Sequence, residues 1–133
     1  MGLRTLRIMQ QTSALHQPMH FTEMVFPGRT NHYGTLFGGQ ALLLMGQAAF
    51  VTASRHARCA VVMARCSDVQ FMAPVPQGQA LRLTAEVVRT GNSSMTVEVS
   101  GSAENLHTGH QQPALRGAFE MVAVDCDGRP RRI

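Results

Sequence analysis

The sequence predicts an α+β fold, a five-stranded antiparallel sheet wrapped around one long central helix. Three observations carry that expectation. One apolar run, from about Phe37 to His56, repeats at spacings of three and four residues, the period of a helix. Five other runs are valine-rich or alternate apolar with polar residues, as strands do. Turn-prone segments join the last four of those runs, so hairpins set them side by side.

The elements follow in order. PMHFTEMVF, Pro18 to Phe26, reads as a first strand, broken by Pro27-Gly28 and followed by the polar loop GRTNHYG. In the helix, Ala41, Leu44, Met45, Ala48, Ala49 and Thr52 mark one apolar face. Leu42 and Leu43 widen that face, which predicts a helix buried on most sides. Arg55, His56 and Arg58 suit the negative end of its dipole. CAVVMARCSDVQFM, Cys59 to Met72, reads as a long second strand, and PVPQG as a turn. ALRLTAEVVR alternates cleanly, with Leu81, Leu83, Ala85 and Val87 on one face. TGNSS turns the chain into MTVEVSGSAEN, a fourth strand. HTGHQQP reads as a loop, and ALRGAFEMVAVD as the last strand, closed by DCDG. One helix cannot cover a whole sheet of such strands, so an oligomer that shares sheet or helix surface follows.

Bulk properties narrow the function classes. A chain of 133 residues with 44% hydrophobic content suits one domain with a real core. Residues 1–17, MGLRTLRIMQQTSALHQ, lack a continuous apolar stretch and read as a flexible leader, with the single domain over 18–133. No apolar run approaches the roughly 20 residues that cross a bilayer, so no membrane partner is expected. Cys59, Cys66 and Cys126 form no CxxC pair, which argues against a disulfide framework or metal site and for a cytoplasmic location. The nine methionines suit adaptable packing around a core or ligand. The net charge is +4, and all 12 basic residues are arginine. Arginine's planar fork suits phosphate, so an anionic small molecule is a natural partner. Nucleic acid is not expected, because the arginines are scattered and aromatic residues are few.

Four segments together carry a family resemblance. TNHYGTLFGGQALLLM, FMAPVPQG, VVRTGNSSM and FEMVAVDCDGRPR occur in order between about His20 and Arg131. The chain thereby resembles the hotdog-fold acyl-CoA thioesterases, in particular the acyl-CoA hydrolase branch. The resemblance implies the hotdog fold and a dimer whose sheets join into one. It also allows for a trimer of dimers, with active sites at the dimer interface. The implied reaction is hydrolysis of an acyl-CoA to free acid and CoA, with no cofactor beyond the CoA of the substrate and no metal.

Thioester hydrolysis needs hydrogen-bond donors for the carbonyl oxygen, an activated water or nucleophile, and an anchor for CoA phosphates. A helix N-terminus supplies free N–H groups, and Gly38-Gly39 clears the approach to them. By resemblance, the backbone amide of Gly39 contacts the thioester carbonyl, with Gly38 beside it. The plainer alternative is that the pair only lets the helix cross the sheet closely. Asn31 matches the family's active-site asparagine, although a loop-stabilising Asn is common. His32 is of a residue type that serves as a general base, but a lone loop histidine is usually just solvated or hydrogen-bonded, and the matching position varies in the resembling family.

The helix aspartate of the resembling enzymes falls seven positions after the second glycine, and here that position is Gly46. Gln47 beside it is uncharged and predicted to point about 100° away on a helix. Of the eight carboxylates, Asp68 in CSDVQF is the first choice as substitute base, against pairing with Arg65 or plain exposure. Glu23 is expected on the first strand, near the mouth of the site. The turn residues Arg89, Thr90, Gly91 and Ser93 are the expected phosphate contacts, with Arg65 a weaker candidate; an ordinary hairpin also explains Gly91. Arg129, Arg131 and Arg132 are weaker choices. Gly46 also raises an alternative function, a non-catalytic acyl-CoA-binding hotdog protein. A hydratase of this fold is disfavoured, because the Asp/His pair that such enzymes carry is absent.

Overall fold

A computed structural model of the chain describes residues 17–133. In chain order it contains β1 (Met19–Met24), a 3-10 turn (Pro27–Arg29), α1 (Gly38–Ala57), β2 (Val61–Phe71), β3 (Ala80–Thr90), β4 (Ser94–Glu104) and β5 (Gln111–Ala123). All the strands form one sheet in the order β1-β3-β4-β5-β2, and every pairing is antiparallel. This is the predicted α+β architecture. The leader expectation for residues 1–17 lies, Gln17 apart, outside the described residues.

The helix buries the face its sequence period marks. Ala41, Leu44, Met45, Ala48, Ala49, Thr52 and Ala53 are all buried. Small residues dominate this stripe, so the sheet can curve close around it. The sheet answers with alternation. Leu81, Leu83, Ala85 and Val87 of β3, Val97 and Val99 of β4, and Leu115, Phe119 and Met121 of β5 point into the same core. Glycines sit where the fit is tightest. A Cβ on Gly117 would lie 3.1 Å from the Met45 methyl and from Val69 Cγ2, so Met45 is seated directly on β5. Burying a methionine side chain contributes roughly 1.5–3 kcal/mol.

Two expectations are corrected. The helix is not buried on most sides: Leu42, Leu43 and Phe50 are exposed along a second, outward face. A single protomer has one sheet, and that sheet covers one side of a helix. The last strand starts at Gln111 rather than Ala114, because Gln111, Gln112 and Pro113 pair with Glu104, Ala103 and Ser102. Pro113 lies next to a register shift in that ladder, a setting that tolerates a residue with no N–H. The second strand is an edge strand, exposed along most of its length, with Val62, Met63 and Phe71 open.

Two bulges set which side chains reach which face. On β2, Met63 opposes Met121 and Arg65 opposes Glu120, so Ala64 is an extra residue. In a regular strand, with Ala64 paired in turn, Met63 and Arg65 would share a face. With the bulge, Met63 turns toward the helix and Arg65 to the outer surface. On β3, Val87 opposes Val97 and Arg89 opposes Thr96, and Val88 plays the same part.

Packing at Gly101 gives a stability test. A Cβ there would lie 2.7 Å from Leu115 Cδ1 and 2.9 Å from Leu83 Cδ2, both buried. Gly101→Ala is expected to destabilise the protein by about 1–3 kcal/mol through overpacking. Gly28→Ala, where a Cβ meets nothing within 4 Å, is the control expected to change little. Urea unfolding of both variants reads the difference.

Candidate active site

The polar loop before the helix is held by its own asparagine. Asn31 Oδ1 accepts from the N–H groups of Tyr33 at 3.0 Å and Thr35 at 3.2 Å, and its Nδ2 donates to Thr35 Oγ1 at 3.0 Å. This is the local bonding for which Asn is favoured in turns. Gly34, with φ +78°, closes the loop by donating to Asn31 O. The loop then docks on the turn between β2 and β3: Leu36 N–H donates to Val75 O and Gln77 N–H to Gly34 O. The sequence segments around Asn31 and Pro74–Gly78 are thus brought together.

The helix that follows starts without a cap. Phe37 at the N-cap position makes no side-chain capping bond, and the first turn has no acidic residue. Phe37 N–H is used by Arg29 O, and Ala41 N–H by Phe37 O. Between them, the N–H groups of Gly38, Gly39 and Gln40 find no partner among the described residues. Three aligned donors at the positive end of a helix dipole form a seat for developing negative charge. The two glycines differ in why they lack a side chain. A Cβ on Gly39 would fall 2.8 Å from the Phe37 ring, so the protomer's own packing explains it. A Cβ on Gly38 would meet nothing within 4 Å.

From Gly39 a groove of about 710 Å³ runs along the outward face of the helix, lined also by Leu42, Leu43, Gly46, Gln47, Phe50 and, from the sheet, Met63. Gly46 lies two turns on, roughly 10 Å along the axis. Its missing side chain is matched by a side chain on β2: a Cβ there would lie 3.3 Å from the Met63 methyl. The lining contains no carboxylate. Gln47 lines the same groove, contrary to the expectation that it points away. The groove spans more than one helix stripe, so neighbours 100° apart both reach it. Met63 and Gln47 are the participants that sequence reasoning passed over. The outward stripe Gly39, Leu43, Gly46, Phe50 has helical spacing, but it was masked by the equally apolar inward stripe.

The two bulges build a second, polar site on the outer face. Arg89 opposes Thr96, Thr96 opposes Glu120, and Glu120 opposes Arg65, one row across β3, β4, β5 and β2. Thr96 Oγ1 donates to Glu120 at 2.8 Å. Arg65, Arg89, Thr90, Gly91, Ser94, Thr96 and Glu120 line one pocket of about 320 Å³. Three of the expected phosphate contacts, and Arg65, therefore meet. Ser93 does not line it; its carbonyl accepts from Ala123 N–H, and Gly91 N–H donates to Ser94 O.

Other candidates fall elsewhere. Asp68 occupies a left-handed conformation, φ +54°, inside the irregularity between Ser67 and Gln70. It lines an outer-face depression with Gln70, Glu98 and Arg116, away from the helix groove. The structure does not bring it to Gly39 or Gly46, because the bulge turns Val69 inward in its place. Glu23 accepts from Arg29 at 3.0 Å. His32 is exposed and stacks on Tyr33, with ring centroids 3.9 Å apart. Among the described residues no group of three or more His, Cys, Asp or Glu side chains is placed to hold a metal ion.

Known proteins share this fold. The thioesterase superfamily model matches residues 33–110. A protein of Zymomonas mobilis named as an uncharacterized acyl-CoA thioester hydrolase is 37% identical over 110 residues, covering 83% of this chain and 74% of its own. An acyl-CoA hydrolase of Agrobacterium tumefaciens superposes with a TM-score of 0.82 at 39% identity, over 87% of this chain. This chain spans only 45% of that protein. An apo hexameric acyl-CoA thioesterase superposes with a TM-score of 0.84 at 39% identity, over 86% of this chain and 74% of its own.

The loop's dependence on one side chain is measurable. Asn31→Ala removes the acceptor of two backbone N–H groups and is expected to cost about 1–2 kcal/mol of unfolding free energy. Asn31→Asp keeps the acceptor and is expected to lose less, as read by denaturant unfolding.

Proposed function

This chain belongs to the thioesterase superfamily and has its hotdog fold, and from that premise we propose that it hydrolyses acyl-CoA thioesters to free acid and coenzyme A. The observation that carries the reading is the uncapped helix start, with the free N–H groups of Gly38, Gly39 and Gln40 above an apolar groove. The acyl chain lies along the groove. Hydroxide adds to the thioester carbonyl carbon, and the carbonyl oxygen takes up the negative charge against these donors. The open approach over Gly38 admits that oxygen. The tetrahedral intermediate then expels sulfur as the C–S bond breaks. A thiol with a pKa near 8.5 leaves as thiolate without needing a general acid.

The remaining proton task is removal of one proton from the attacking water. Resembling enzymes place a carboxylate for it; here that position is Gly46, and the groove has none. Asn31 and Gln47 orient water or substrate, but a carboxamide does not act as a base. The cradle therefore stabilises the transition state while hydroxide from solvent supplies the nucleophile. Arg65 and Arg89, with Thr90 and Gly91, hold phosphates of the CoA moiety on the outer face. Glu120 keeps its hydrogen bond to Thr96 there. Gly46 favours one second reading, an acyl-CoA-binding protein without turnover.

We also assign the exposed helix face and the β2 edge to contact with a second copy, in a dimer or a trimer of dimers. The hexameric relative supports the larger assembly. A cytoplasmic location fits the three unpaired cysteines. No helix of the described residues is long and apolar enough to cross a membrane.

CoA release from a series of short to long acyl-CoAs tests the activity. Gly38→Ala is expected to leave the thermal midpoint unchanged or higher, yet lower kcat/KM by at least about tenfold. Arg65→Gln and Arg89→Gln are expected to raise KM about tenfold with kcat retained, because they anchor a part of the substrate that does not react. Gly46→Asp is expected to raise kcat at least about tenfold by supplying a base. Saturable acyl-CoA binding without release selects the second reading; absence of both contradicts the two together.

A further inference from the structure

The far end of the helix carries a pocket that the proposed reaction does not use. Its cavity of about 500 Å³ is lined by Gln17, Met19, Thr52, Arg55, His56, Arg58 and Val87. That volume lies within the range of small-molecule sites, about 300–1,000 Å³. Thr52 is thirteen residues beyond Gly39, roughly 20 Å along the axis, so this cavity is separate from the glycine-pair site.

Two independent features of the pocket lack a partner. Thr52 is 5% exposed, and its Oγ1 is a buried polar atom with no hydrogen-bond partner among the described residues. A helical threonine hydroxyl ordinarily turns back to a carbonyl one turn earlier; this one makes no such bond. Leaving a buried hydroxyl unpaired is costly. Beside it stand Arg55, His56 and Arg58. The ion pairs of the described residues are Arg29–Glu23 and Arg82–Glu104, so neither Arg55 nor Arg58 is matched by a carboxylate. Arg55 instead points its Nη1 at Met19 Sδ, 3.8 Å away, a weak acceptor for a guanidinium. Arg58 is held at the helix end in a left-handed conformation, φ +55°, with its N–H on Ser54 O. The helix C-terminus contributes about half a negative charge, which two arginines outweigh.

We propose that this pocket is a second binding site, for a small phosphate-bearing molecule. Its oxyanion is held by Arg55 and Arg58, and an adjoining hydrogen-bonding group meets the Thr52 hydroxyl. Guanidinium forks match phosphate oxygens two at a time, and His56 lines the same cavity. The apolar walls, Met19 and Val87, leave room for a carbon skeleton beside the charge. The site does not depend on thioester hydrolysis and is tested without it.

Isothermal titration of the full chain with inorganic pyrophosphate, and with succinate as the carboxylate arm, tests the proposal. Saturable pyrophosphate binding is expected, weakened at least about tenfold in the Arg55→Gln/Arg58→Gln double variant. It is expected to persist in the Arg65→Gln/Arg89→Gln double variant, which removes the outer-face anchor instead. Thr52→Val is expected to raise the ligand-free thermal midpoint by about 3 °C, because an orphaned hydroxyl is gone, while weakening pyrophosphate several-fold. Four results overturn the proposal: no saturable binding, binding unchanged in the Arg55/Arg58 variant, affinity unchanged in Thr52→Val, or succinate binding as tightly as pyrophosphate.

Discussion

Met45 resting on Gly117 is the contact on which the rest of the site depends. The thioether end of the helix's central residue lies against a bare backbone position of β5, with Val69 beside it. That contact fixes both the height of the helix above the sheet and its rotation. Each helical residue turns about 100° from the last, so once Met45 points into the sheet, Gly46 is turned out of the core. There it faces the methyl of Met63. The same rotation presents Gly39, two turns earlier, at the mouth of the groove.

The sheet separates two chemistries by counting residues. A strand without bulges would place Met63 and Arg65 on one face, mixing an apolar wall with a guanidinium. Ala64 breaks the count on β2 and Val88 breaks it on β3. Both arginines then emerge on the outer surface in line with Thr96 and Glu120, while Met63 and Val87 stay on the helix side. An apolar acyl chain and a polyanionic nucleotide have opposite solvation needs, and on the proposed function the two faces of one sheet meet them separately. The cost of each bulge is a locally unpaired backbone residue, and at β2 that residue lies on an edge strand already open to solvent.

Much of this was legible in the chain. Helical spacing from Ala41 to Thr52 and the alternation of Leu81 to Val87 gave the elements, because one buried face imposes one period. The turn residues around Thr90–Gly91 and the glycine pair marked segments that the structure places at a polar pocket and at an uncapped helix start. The exposed helix face was not legible, since Leu42, Leu43 and Phe50 are as apolar as the residues facing the core. Gln111–Pro113 resembled a loop by composition, and pairing to β4 overrode that local preference. The Asp68 expectation rested on an acid inside an apolar strand. Strand register decides its face, and a one-residue bulge reversed what periodicity implied. For Gly39, sequence suggested clearance for a ligand, whereas the Phe37 ring already occupies that space; clearance is the better account of Gly38.

The central claim is that backbone amides at the helix start carry the reaction, with solvent hydroxide in place of a protein base. The pH dependence of kcat/KM for a short acyl-CoA tests it most directly. Without a titrating base, log kcat/KM rises with unit slope, about tenfold per pH unit, between roughly pH 5.5 and 8. A profile that levels off above about pH 5 would reveal a working carboxylate, and one that bends near 6.5 a working imidazole; either would contradict the account.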